Sequence, residues 1–268
     1  MLFQRILTVV IAAPFLIGAI LVPSPVVFKS VVFFCLLIGL LEFFTIIGLK
    51  KSERFFALFL GLFHMGYLLF CPSLYRHNFF EVTVLLFLVF TFYCLWPLQN
   101  IEGVGGRMAL TLLGTLYIGT FGSYVGLMRE LPYGVYWVFT VLAMTWMNDT
   151  FAYFFGHHFG RHRLAPLISP GKTLEGLAGG YLGSAVGFLG FWFGLTNPVS
   201  LGQGLWLTLL VGTVGPLGDL SESLIKRSFH IKDSGNIIPG HGGMMDRIDA
   251  LLFTAPVVYF FAMRLGQG

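Results

Sequence analysis

Residues 201–229 read LGQGLWLTLLVGTVGPLGDLSESLIKRSF, an apolar run that turns into a dense cluster of charge near its end. Wound as a helix at about 1.5 Å per residue, it rises about 27 Å from Leu201 to Asp219, which nearly crosses the roughly 30 Å of a bilayer's hydrocarbon. Comparable runs recur along the whole 268-residue chain, at about 6–22, 30–49, 55–70, 82–98, 108–128, 135–156, 177–195 and 248–264. Hydrophobic residues make up 56% of the sequence and charged residues only 10%, against roughly 25% charged in ordinary soluble domains. The expected fold is therefore an all-α polytopic integral membrane protein with about nine transmembrane helices. The first run follows Arg5 as a signal peptide would, but it is long, lacks an A-x-A cleavage pattern and precedes further spans, so it reads as a retained helix.

Nine spans with the N-terminus inside would place Arg5, Lys50, Lys51, Arg54, Arg107, Arg161, Arg163, Lys172, Lys226, Arg227, Lys232 and Arg247 in the cytoplasm. Only Lys29, Arg76, Arg129 and Arg264 of the 16 Lys and Arg would lie outside. That bias predicts an N-in, C-out topology by the positive-inside rule. The expected location is the cell inner (cytoplasmic) membrane, with the polar loops 157–176 and 230–247 facing the cytoplasm. Residues 1–134 read as scaffold helices, rich in Phe, Leu, Ile and Val. Residues 135–268 carry repeated Gly and intramembrane acids, and read as the catalytic half. Cys35, Cys71 and Cys94 show no metal-ligand spacing and read as small apolar filler. The formal charge of +4 comes without a basic tail, so no nucleic-acid partner is expected.

Within the quoted run, Pro216 lacks an N–H and deprives the Gly212 carbonyl of its helical partner, which predicts a kink or break there. Asp219, Glu222, Ser223 and Lys226 follow i, i+3, i+4 and i+7 spacing and share one face. An acid at this depth defaults to a functional candidate. The competing interpretation is an ion pair between Asp219 and Lys226 or Arg227, with both bases serving as membrane-interface anchors. The chain continues through Lys232, Asp233 and Gly235 to HGGMMDRID at residues 241–249. Bases suit phosphate oxygens, acids suit a hard divalent cation, and glycines let backbone N–H groups approach an anion. Asp246 and Asp249, three apart, could hold Mg2+ together with Asp219, and a second cation has room in such a set. Asp249 could equally cap the last helix, and His241 is either a phosphate donor or an exposed loop histidine.

Farther upstream, Asn148, Asp149 and Tyr153 end the sixth span, and Ser169 to Gly176 read SPGKTLEG. The GKT is not a P-loop, because Pro166 stands where the first glycine should and no strand of a soluble domain precedes it. Lys172 is a phosphate contact or a cytoplasmic topology charge. His157, His158 and His162 lack a zinc pattern and read as loop polarity.

The run from Ser223 to Asp249 resembles the phosphatidate cytidylyltransferase signature S-x-x-K-R-x4-K-D-x-[GSA]-x-x-[LIF]-P-x-H-G-G-x-x-D-R-x-D, with every fixed position met. SPGKTLEG is similar to the family's S-P-K-K-T-x-E-G, with Gly171 in place of a usual Lys. The resemblance is strong in the C-terminal half. It implies condensation of CTP with phosphatidic acid to CDP-diacylglycerol and pyrophosphate, requiring Mg2+. On that basis Asp219, Lys226, Asp246 and Asp249 are the expected catalytic residues, with Mg2+ on Asp219, Asp246 and Asp249. Asn148, Asp149, Lys172, Glu175, Ser223, Arg227, Lys232, Asp233, His241, Gly242, Gly243 and Arg247 are the expected substrate contacts. Membrane lipids are expected partners, and the Gly- and Phe-rich helices are compatible with a homodimer. A transporter with a buried acidic ion site is the rival class, although no inverted repeat is visible. A CDP-alcohol phosphotransferase would carry a D-G-x-x-A-R-type motif, which is absent.

Overall fold

Apolar sequence without water to satisfy its backbone must form its hydrogen bonds internally, and helices dominate the chain accordingly. A computed structural model describes residues 2–71, 78–95, 102–194, 198–235, 237 and 242–265. In them lie α1 (Leu2–Leu21), α2 (Pro25–Ile46), α3 (Lys51–Phe70), α4 (Phe79–Leu95), α5 (Val104–Met128), α6 (Gly134–Phe159), α7 (Leu174–Gly194), α8 (Leu201–Ser228) and α9 (Met245–Leu265). Six of these, α2, α3, α5, α7, α8 and α9, are long and apolar enough to cross a membrane. Between α6 and α7 the chain makes a small antiparallel hairpin of β1 (Arg163–Ala165) and β2 (Ser169–Thr173).

Three features depart from the sequence reading. The loop 157–176 is not wholly irregular: its strands of three and five residues are too short to leave a periodic signal. Residues Thr115–Thr120 form a π-helical turn inside α5. Of the kink or break predicted at Pro216, the break is absent, since α8 runs as one helix of 28 residues through it. A transmembrane helix tolerates the missing bond when its neighbours pack closely. Here Gly212 lies against the Tyr181 ring, and Gly215 and Pro216 are buried.

The residues group into two units. The first comprises Met1–Leu127 with Ser234–Met245, so most of the loop read with the second half belongs to the first unit. Its core holds Phe28, Phe43, Phe44, Leu40 and Met65. His64 shares a 2.8 Å hydrogen bond with Thr120 of the π-helical turn. The second unit comprises Met128–Asp233 with Asp246–Gly268. Its centre is the close pairing of α6 and α7, which small residues allow. Gly176, Gly179, Gly180, Gly183 and Gly187 recur along one face of α7, where a Cβ at Gly183 would collide with the Met147 carbonyl. Gly183→Val should therefore lower stability by about 1–3 kcal/mol through overpacking. A thermal melt in detergent checks this, with Gly190→Val, at an open position, as the control.

Candidate active site

In the second unit, α6, α7, α8 and β2 border a cavity of about 550 Å³. Asn148, Asp149, Tyr153, His157, Arg163, Lys172 and Asp219 are among its lining residues. Asn148 is 1% exposed, and its Nδ2 donates to Ser184 Oγ at 3.0 Å. Its Oδ1 is buried and accepts no hydrogen bond among the described residues, leaving an acceptor at the cavity's edge. Lys172 is carried in on β2, and its Nζ stands 2.8 Å from Asp219 Oδ2, as an ion pair whose angle is not that of a hydrogen bond. Ser223 Oγ donates to the other Asp219 oxygen at 3.3 Å. Asp149 lies within electrostatic reach of Asp219 and Lys172.

One turn farther along α8 is a second charged group. Lys226 Nζ donates to Glu222 at 2.9 Å and to Asp246 at 2.5 Å, and Glu222 is only 1% exposed. A buried carboxylate needs such a partner, because isolated charge is costly away from water. Asp249 lies within electrostatic reach of Asp219, Asp149 and Glu222, and its Oδ1 accepts from the Ala250 amide at 2.7 Å. Gly218 permits this arrangement: a Cβ there would lie 2.6 Å from the Asp249 carbonyl, so α8 and α9 touch backbone to backbone beside both aspartates.

The structure thus gathers Asn148, Asp149, Lys172 and Asp219 at the cavity, and Lys226 with Asp246 next to Glu222. Arg227 bonds the carbonyls of Ile168 at 3.5 Å and Ile231 at 3.3 Å. Glu175 accepts from the Arg161 and His162 amides and from His162 Nδ1 at 2.6 Å, so it fastens the turn before β1. Lys232, Asp233 and Arg247 are exposed, and Gly242 and Gly243 belong to the first unit. His241 lies outside the described residues. Among the described residues, no three His, Cys, Asp or Glu side chains form a ready metal-binding group.

Sequence reasoning left Glu222 and Arg163 out of the candidate site. Glu222 sits on the same face as Asp219 by its spacing, so its signal was present. Arg163 had none, because its approach to the cavity depends on the short hairpin.

Comparison with known proteins adds a different kind of observation. The model of the cytidylyltransferase family matches residues 3–265. The phosphatidate cytidylyltransferase of Thermotoga maritima is 33% identical over 270 aligned residues, covering 95% of this chain and 94% of that protein. The phosphatidate cytidylyltransferase of Bacillus subtilis is 42% identical over 149 residues, 55% of each chain. In that match the chain spans about half the length of its relative.

Proposed function

Because the chain belongs to the cytidylyltransferase family, we propose that it transfers the cytidylyl group of CTP to phosphatidic acid, giving CDP-diacylglycerol and pyrophosphate in phospholipid biosynthesis. The match to the Thermotoga maritima enzyme over nearly both full lengths carries this reading. In the reaction a phosphate oxygen of phosphatidate attacks the α-phosphorus of CTP. The bond from that phosphorus to the bridging oxygen breaks, and pyrophosphate leaves with the electron pair. No covalent nucleophile on the protein is needed, since the lipid phosphate is already anionic.

Lys172 and Arg163 at the cavity would bind phosphate oxygens, and a phosphate that enters there competes with Asp219 for the Lys172 ammonium. Lys226 would hold Asp246 in place through their direct bond. Asp149, Asp219, Glu222, Asp246 and Asp249 outnumber Lys172, Lys226 and Arg163, and this excess of hard oxygen donors fits a divalent cation. Asp219, Asp246 and Asp249 would hold Mg2+, with capacity for a second cation. When bound, it supplies positive charge against the triphosphate and the departing pyrophosphate. The finer membrane arrangement belongs to the same proposal: nine spans, N-in and C-out in the inner membrane, with the site open to cytoplasmic CTP and membrane lipid, and room for a homodimer.

Lys172→Ala should raise the KM for CTP or phosphatidate about 10- to 150-fold, as loss of a charge-assisted phosphate bond worth about 1.5–3 kcal/mol would. Steady-state rates measured against each substrate in turn would check it and assign the lysine. Reconstitution in sealed vesicles separates the proposal from a transporter. Consumption of CTP only with phosphatidate present supports it, and ion or solute flux without CTP consumption refutes it.

A further inference from the structure

We infer that Glu42 is a positioning residue that fixes the start of α9 by holding the glycine-rich segment before it. Glu42 is the single acid of α2 and is only 5% exposed. Its Oε1 accepts from the Met244 amide at 3.0 Å, and its Oε2 accepts from the Met245 amide at 2.9 Å and from Ser234 Oγ at 3.2 Å. All four residues belong to the first unit. The first N–H groups of a helix have no partner within it and form its positive end. Glu42 supplies acceptor and charge there from about 200 residues away in sequence.

The packing around the carboxylate is tight. A Cβ at Gly235 would lie 2.7 Å from Oε1, and one at Gly243 would lie 2.8 Å from both Oε2 and the Gly235 nitrogen. Gly242 adopts a left-handed φ of 84° that lets the chain turn into this position. Gly243 therefore serves backbone and carboxylate packing, a use independent of phosphate. Met245, which Glu42 holds, is followed in the chain by Asp246, so the tether decides which residue begins α9 and hence where that aspartate is carried. Glu42 acts through the backbone and needs no contact with substrate.

The exchange arm of the test stands without the proposed reaction, while the rate arm rests on it. Glu42→Gln keeps the shape but puts an NH2 group against backbone N–H donors. Hydrogen–deuterium exchange of the amides at 244 and 245, in detergent-purified full chain, should accelerate at least about tenfold, with α7 unchanged. The kcat with CTP and phosphatidate should fall about 10- to 100-fold, the scale of lost support behind a ligand, with KM for CTP within about twofold. A loss of stability alone would lower the active fraction without speeding exchange in that segment only. Unchanged exchange at 244 and 245 overturns the tether, and faster exchange with kcat within about twofold overturns the positioning role. Should Glu42→Gln fail to fold, Ser234→Ala removes only the hydroxyl bond. It should move both readouts in the same direction by at least about twofold, and no movement in either overturns the inference. If the parent protein gives no turnover, the proposed reaction fails, and the exchange result still decides the tether.

Discussion

Asp246→Asn is expected to lower turnover about 100- to 1,000-fold, the range seen when one preorganised electrostatic group is removed from a reacting centre. Asn keeps the size and one oxygen but removes the charge. In this protein that charge faces the Lys226 ammonium at 2.5 Å. Lys226 would still be neutralised by Glu222, so the helices should remain folded and the loss should fall on kcat. If Asp246 also holds Mg2+, the concentration of Mg2+ that gives half the maximal rate should rise in the variant. Turnover at the parent level, from protein that elutes and melts as the parent does, would remove Asp246 from the catalytic set.

Lys226→Met has the second largest expected effect, and it acts on stability as well as rate. Met matches the length of the lysine stem but leaves the buried Glu222 and the partly exposed Asp246 without their shared cation. Breaking a buried pair from one side typically costs about 3–5 kcal/mol, and Glu222 at 1% exposure has no water to turn to. Thermal melts in detergent should show the loss. Adding Glu222→Gln should restore most of the stability without restoring turnover, because the buried charge is gone while Asp246 still lacks Lys226. A double variant that recovered full turnover would show that Lys226 serves only to neutralise Glu222.

The helical architecture was legible because hydropathy and length suffice for it. Each of the nine apolar runs overlaps a helix, with ends moved by a few residues where polar or proline positions continue the coil. Pro25, for example, begins α2 five residues before the expected start. At Pro216 the local rule allows a kink or a break, and the helix runs on unbroken where Tyr181 lies against Gly212. Of the candidate site, the face shared by Asp219, Glu222, Ser223 and Lys226 follows from spacing alone. The approach of Lys172 to Asp219 does not, since it depends on how a five-residue strand leads into the start of α7. Glu42 was missed for a related reason. A lone acid in an apolar run flags a role, but its partners at 234, 244 and 245 are visible only in three dimensions.

The central claim is cytidylyl transfer to a lipid phosphate, and the most direct measurement follows the label of CTP in purified protein given phosphatidate and Mg2+. CTP labelled at its α-phosphorus should pass its label into a solvent-extractable lipid. CTP labelled at its γ-phosphorus should release its label as pyrophosphate in equal amount, and neither should occur with EDTA or without phosphatidate. Folded protein that leaves the α-label in the aqueous phase, or releases it as CMP without lipid product, would contradict the account.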